Sequence, residues 1–78
     1  MKLRIDNIKI REDLTKVEII TKALETHKIS KAFVESSKIL KKSIDARDKN
    51  DIFYNYSILL DVKKDCRVPK NKNIILLT

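Results

Sequence analysis

The run DIFYNYSILLDV, residues 51–62, constrains the fold of this chain more than any other feature of the sequence. Apolar or aromatic residues occupy every second position from Ile52 to Val62, which is typical of a β-strand with one buried face. The opposite face carries Asp51, Asn55, Ser57 and Asp61. Because Tyr54 and Tyr56 share the spacing of the aliphatic residues, we expect both to pack in the core. Such a strand needs neighbouring strands and a covering layer, so the sequence predicts a sheet.

Two further elements precede this strand. The apolar residues of the first ten positions alternate as in a strand over about residues 2–10, with a slip at Asp6 and Asn7 that indicates a β-bulge. A helix is predicted over about residues 15–27, because Thr15 and Glu18 have the spacing of a capping box. Its apolar face is expected to consist of Val17, Ile20, Ala23 and Leu24.

The segment KISKAFVESSKILKKSID, 28–45, is harder to interpret. Phe33, Ser37, Leu40 and Ile44 have a spacing that fits a helix, but the portion from Ser36 to Ile44 also alternates as a strand. We predict a short turn or one-turn helix near 30–34, followed by a strand over about 36–44 with Leu40 and Ile44 facing inward. The polar stretch DARDKND, 45–51, predicts a hairpin connection, since Asp and Asn favour turns.

These elements indicate one small α+β domain spanning residues 1–78. We expect an antiparallel or mixed sheet of three to four strands, with one main helix on one face, in a split β-α-β or ferredoxin-like arrangement. After a polar loop that contains the single proline, IILLT is predicted to begin another strand. Because this apolar segment runs to the last residue, we expect the chain to be a fragment of a longer protein.

Composition excludes several kinds of site. The chain has no glycine, so neither a dinucleotide-binding fingerprint nor a P-loop is present, and we expect no cofactor to be bound by this fragment. One cysteine and one histidine support neither a disulfide nor a metal site. The chain contains no long apolar run and no signal-peptide pattern, so we expect a cytoplasmic protein that does not interact with membranes.

The formal net charge is +7, from 18 Lys and Arg against 11 Asp and Glu. Such an excess favours an acidic ligand, an acidic partner surface or RNA. The excess is also explained by an AT-rich genome, in which lysine codons are frequent and lysine serves only solubility.

Three segments, LRIDNIKI, EDLTKVEIITKAL and above all KILKKSIDARDKNDIFYNYSILLDV, resemble the N-terminal domain of the bacterial FAD-dependent, NAD(FAD)-utilising dehydrogenases. The resemblance covers about residues 2–62 and is most specific at Lys42–Arg47. It implies an accessory, non-catalytic module that packs on the flavin domain of the same polypeptide or regulates access to it. FAD is then expected in the parent protein, whose own activity would be that of a dehydrogenase.

The segment KKSIDARDKND, 41–51, carries the candidate interaction residues Lys41, Lys42, Ser43, Asp45, Arg47 and Lys49. Ser43, Asp45 and Arg47 are expected on one face and Lys42 and Ile44 on the other. Asp45 is positioned to accept a hydrogen bond from a turn amide and to pair with Arg47. The segment therefore serves either to stabilise a glycine-free hairpin or to recognise a partner.

The remaining candidates are weaker. His27 is expected at the end of the helix, where a cation is favourable. Phe53 is the one aromatic residue on the polar face of its strand. Cys66 is expected to be an exposed thiol in a charged loop. No catalytic residue is predicted, and a free-standing basic RNA-binding module is the alternative function.

Overall fold

The computed structural model describes residues 1–48 and 50–77. The chain forms strand β1 (Lys2–Ile10), helix α1 (Lys16–Thr26), a one-turn 3-10 helix (Lys31–Phe33), and strands β2 (Val34–Asp48), β3 (Asp51–Val62) and β4 (Ile74–Leu76). The α+β class, the four-stranded sheet and the single main helix predicted from the sequence are confirmed. β2 is longer at both ends than the predicted strand.

The strands lie in the order β2-β3-β1-β4, and each neighbouring pair is antiparallel. β3 is therefore central, and the β2–β3 hairpin is its most extensive pairing. The pairing of β1 with β3 ends at Ile10, which lies opposite Tyr54. The hairpin continues past this point, so its last part is two-stranded.

The predicted bulge in β1 is confirmed, because the register with β3 shifts between Ile5 and Ile8. Asn7 takes the left-handed conformation there, with φ of 58°. Asparagine tolerates this region better than most residues, which explains its use in a chain without glycine.

Helix α1 begins with the predicted capping box. The backbone N–H of Glu18 donates to Thr15 Oγ1, and the Thr15 N–H donates to Glu18 Oε1 at 3.2 Å. At the other end, Lys28 has φ of 56°, and the Ile29 N–H donates to the Leu24 carbonyl at 2.9 Å. This is a Schellman ending, in which the left-handed residue is usually glycine.

The core lies between α1 and one face of β1 and β3. Its members are Leu3, Ile5, Ile8, Ile10, Ile19, Ile20, Ala23, Leu24, Ile29, Tyr56, Ile58, Leu60, Val62 and Cys66. Within residues 1–48 and 50–77, no helix lies on the other face of the sheet, and we call it the helix-free face. No helix of the described residues is long and apolar enough to cross a membrane.

Two predictions for β2 were wrong. Leu40 is 45% exposed because a second bulge shifts the register between Ile39 and Lys41, so that Ile39 occupies the inward position opposite Ile58. Ile44 has the predicted inward parity, opposite Tyr54, yet it is 66% exposed because no layer covers it. Ile52 is exposed for the same reason, and Tyr54 is half-buried where Tyr56 is buried.

Two further predictions also require correction. Val17 is exposed, and Ile19 takes its place in the buried face of α1, because Val17 borders the solvent-open groove between α1 and β2. Cys66 is buried in the core, since the loop after β3 folds back over the sheet.

Candidate interaction site

The two-stranded part of the β2–β3 hairpin is the main exposed feature of the sheet. We call residues 44–48 and 50–53 the distal arm, which consists of this two-stranded part together with Ile44 in the last row that β1 reaches. Ile44 and Ile52 are 66% and 54% exposed, although both have the inward parity of their strands. An isolated two-stranded ribbon gains little stability from its own contacts. The distal arm therefore presents apolar side chains that the fold itself does not use.

Asp45 and Arg47 have the predicted geometry. The Arg47 backbone N–H donates to Asp45 Oδ1 at 3.3 Å, and Arg47 Nε lies 3.7 Å from the same oxygen. The Arg47 side chain is 94% exposed, so this ion pair contributes little to stability. The carboxylate stabilises the backbone of the arm, and most of the guanidinium remains accessible to a partner.

Lys42 faces the helix side of the sheet, opposite Tyr56. Its ammonium lies 4.5 Å from the centroid of the Tyr54 ring and 5.9 Å from that of Tyr56. Such cation–π contacts fix the side chain at the border between the core and the distal arm. Lys42 is exposed and contacts the two rings, whereas Lys41 extends from the opposite face.

Lys41 and Ser43 lie on the helix-free face, where the two bulges flank a shallow depression of about 460 Å³. Ser43 Oγ donates to the Asn55 carbonyl at 3.3 Å. The depression is lined by Arg4, Asp6, Asn7, Leu40, Lys41, Ser43, Asn55 and Ser57. Its one acidic residue, Asp6, is paired with Arg4 at 3.1 Å, so the depression carries a small positive excess.

Of the six candidate residues, the structure brings Lys41 and Ser43 together on one face and holds Asp45 and Arg47 as a pair in the distal arm. Lys42 lies on the other face. Lys49 lies outside the described residues. The stabilising role of Asp45 is supported by its contacts, and the recognition role of the segment stays a prediction.

A second exposed feature is the groove between α1 and β2. It has a volume of about 440 Å³ and is lined on the helix by Val17, Ile20 and Leu24 and on the sheet side by residues 34–37. The groove exists because α1 covers β1 and β3 but leaves the inner face of β2 open. β2 is also an edge strand of the sheet.

The other predicted candidates occupy structural positions. His27 is the C-cap residue of α1, as expected. Phe53 is half-buried on the helix-free face, with the Lys9 ammonium 5.2 Å from its ring centroid. Burial raises the pKa of the Cys66 thiol, and the Asp65 carboxylate raises it further. The described residues hold no cluster of three or more His, Cys, Asp or Glu side chains suited to a metal ion.

Sequence reasoning missed the contacts that connect distant segments. Arg11 Nη2 lies 3.1 Å from Asp51 Oδ1 at the tip of the distal arm, next to the turn. Asn7 Nδ2 donates to Asn73 Oδ1 at 2.8 Å and links the bulge of β1 to the loop before β4. No local pattern marks these pairs. The one indication in the sequence was Asn7 itself, a polar residue at the predicted bulge whose side chain could be expected to bind another segment.

Residues 2–61 match the family described as a domain of unknown function, DUF8436. The chain belongs to this family. The match covers β1, α1, β2 and nearly all of β3, which includes the core strands and the distal arm. No curated protein and no solved structure matches the chain.

Proposed function

We propose that the chain is an accessory, non-catalytic module of a FAD-dependent oxidoreductase, and that it docks on the flavin domain through the distal arm. The observation that carries the proposal is the exposure of Ile44 and Ile52 on a ribbon that has no covering layer. Exposed apolar side chains grouped in this way are typical of binding surfaces.

The resemblance to the dehydrogenases is most specific in the same region. The resemblance is strongest over Lys42–Arg47. This segment includes Ile44 of the distal arm, Arg47 with its accessible guanidinium, and Lys42, whose ammonium lies over the Tyr54 ring. An apolar pair with an accessible arginine beside it has the composition of a docking patch. FAD itself would be held by the flavin domain, because a chain without glycine lacks the backbone needed for the pyrophosphate.

We further propose that the fold is of the ferredoxin-like, split β-α-β kind. The order β2-β3-β1-β4, with β3 between the two strands that α1 connects, supports this arrangement. The loop over residues 63–73 then stands in place of a second helix. Cys66 and Val68 of this loop pack on the core as a helix in that position would.

Two measurements test the docking proposal. Sequencing the gene beyond residue 78 should reveal a strand, a Gly-x-Gly-x-x-Gly turn and a helix. The separately expressed flavin domain of a dehydrogenase with a KKSIDAR-type segment should bind the chain in calorimetry, whereas FAD alone should give no saturable change in flavin fluorescence. Stoichiometric FAD binding by the chain, or no binding to the flavin domain, would contradict the proposal.

RNA binding is the second candidate, and the Lys9–Phe53 pair on the helix-free face favours it. An aromatic ring beside a cation is the arrangement that stacks on bases in sheet-based RNA-binding domains. Affinity for a single-stranded RNA pool should then fall steeply as salt rises. The variants Phe53→Ala and Lys9→Ala should weaken it, with Ile52→Ala as the control. Equal affinity of all three variants would exclude this face as the RNA site.

A further inference from the structure

The outer edge of β2 is one of the two edges of the sheet, and its strand is longer than β4 at the other edge. β2 pairs with β3 on one side, and no other strand of the described residues lies on its other side. Its range, Val34–Asp48, is the longest of the four strands. An open edge of this length presents backbone donors and acceptors to which an extended peptide can add as a further strand.

The charges of β2 decide what kind of strand can add. Its central segment, residues 36–44, holds Lys38, Lys41 and Lys42 and no carboxylate. The structure gives Lys38 and Lys41 no ion pair with any described residue, and both are exposed. In an antiparallel pair of two copies, these lysines would face each other across the edge, which is unfavourable. The same charges favour a partner strand that carries carboxylates.

The two faces of β2 require different side chains. Lys38 and Lys41 lie on the helix-free face, opposite Leu59 and Ser57 of β3. Ile39 and Ile44 lie on the helix side, and the groove beside Val17 opens on the same side at residues 34–37, nearer the start of β2. Because side chains alternate along a strand, a complementary partner would place acidic residues on one face and apolar residues on the other.

We infer that the outer edge of β2 binds an extended peptide of alternating acidic and apolar residues as a fifth strand. The acidic side chains pair with Lys38 and Lys41, and the apolar ones enter the groove between α1 and β2. This goes beyond the docking of the distal arm, because it concerns the backbone edge of β2 before the arm and a linear partner on any protein. Its failure would leave the docking proposal intact.

The test uses a fluorescently labelled peptide of alternating glutamate and valine, capped at both ends, and a peptide of alternating lysine and valine as the control. Anisotropy should show saturable binding of the acidic peptide only. Amide chemical shifts should change along β2 and in α1 near Val17, and not along β4. Shifts confined to other strands, or equal binding of both peptides, would overturn the inference.

Backbone pairing is tested by N-methylation of the acidic peptide. One version is methylated at every glutamate and the other at every valine, so that each blocks the N–H groups of one edge. Strand addition requires that one version binds like the parent and the other loses binding. Two versions with the same affinity, or the loss of binding by both, would contradict strand addition.

The lysines are tested by a charge-matched pair of variants. Lys38→Glu/Lys41→Glu should weaken the acidic peptide by about tenfold or more, since two cross-strand attractions become repulsions. Lys70→Glu/Lys72→Glu makes the same change in charge in the loop before β4 and should leave affinity within about twofold. Equal weakening by both variants would indicate unspecific attraction to net charge. If the first variant does not fold, the methylated peptides still decide the question.

Two other occupants of the edge are tested separately. If the molecular mass of the chain in solution doubles as its concentration rises, the edge pairs with a second copy. If an RNA oligonucleotide displaces the peptide from β2, the edge binds RNA. Either result would overturn the inference.

Discussion

The β2–β3 hairpin has two halves that share a sequence pattern and differ in what lies over them. In the half covered by α1, Ile58 and Leu60 have no exposed surface. In the distal arm, Ile44 and Ile52 have the same inward parity and are mostly exposed. Alternation therefore sets the direction in which a side chain points, and the covering layer determines whether it is buried. The covered half therefore contributes to the core, and the distal arm is the part through which we propose that the chain docks.

The largest expected effect is that of shortening a side chain in the covered half. Leu60→Ala should lower the free energy of unfolding by about 2–5 kcal/mol, because it leaves a cavity in the core. Ile52→Ala is the matched change in the distal arm and should cost less than about 1 kcal/mol. Urea denaturation of both variants measures the difference. Similar midpoints would show that the two halves are not distinct.

The two tyrosines of β3 test where the covered half ends and the distal arm begins. Tyr56→Ala should lower stability by about 3 kcal/mol, since the ring is buried in the core. Tyr54→Ala should cost clearly less, because this ring is half-buried and packs mainly against Lys42 and the neighbouring ring, 6.3 Å away. Thermal and urea unfolding give both values. If Tyr54→Ala costs as much as Tyr56→Ala, the core extends into the arm.

A substitution at the end of α1 is expected to have a smaller effect, and it should raise stability. Lys28→Gly should raise the free energy of unfolding by up to about 1 kcal/mol, because glycine adopts the left-handed ending of α1 without steric cost. Hydrogen exchange should slow in the covered half and stay unchanged in the distal arm. The control is Lys22→Gly within α1, which should be destabilising. A loss of stability in Lys28→Gly would show that the Schellman ending is not strained.

The smallest effect concerns Cys66, which lies in the loop after β3 and is buried in the core. The pKa of the Cys66 thiol is higher in the folded than in the unfolded chain. The folded state therefore binds more protons once the pH exceeds the pKa of the unfolded thiol. The contribution of the thiol to the free energy of unfolding is complete below a pH of about 8.5, and it is lost as the pH rises through the pKa of the thiol in the folded chain. Cys66→Ala should therefore flatten the decline of stability in alkaline buffer. Parallel pH profiles of the variant and the parent chain would contradict this expectation.

Much of the fold could be predicted because its signals are local. The capping box at Thr15, the bulge at Asn7 and the alternation of β3 each depend on residues close in sequence. The position of Leu40 could not be predicted, because the bulge in β2 arises from its register with β3. Burial of Cys66 likewise depends on a loop that returns over the sheet.

The candidate site could be predicted only in part, because Asp45 and Arg47 were among the predicted residues, whereas Ile44 and Ile52 were expected to face the core. The pairing of Asp45 with Arg47 follows from their spacing, and it is confirmed. The exposure of Ile44 and Ile52 depends on where β1 ends and on how far α1 extends, and neither is encoded within the hairpin itself. The open edge of β2 follows from strand order, which is a property of the whole sheet.

The most direct test of the account measures docking and stability in one variant of the distal arm. Ile44→Ser/Ile52→Ser should unfold at nearly the same urea concentration as the parent chain and should bind the separately expressed flavin domain at least about tenfold more weakly. Val17→Ser, which removes an exposed apolar side chain outside the arm, is the control and should leave docking unchanged. Docking of the double variant at parent affinity, or its unfolding at a much lower urea concentration, would contradict the assignment of the distal arm to binding.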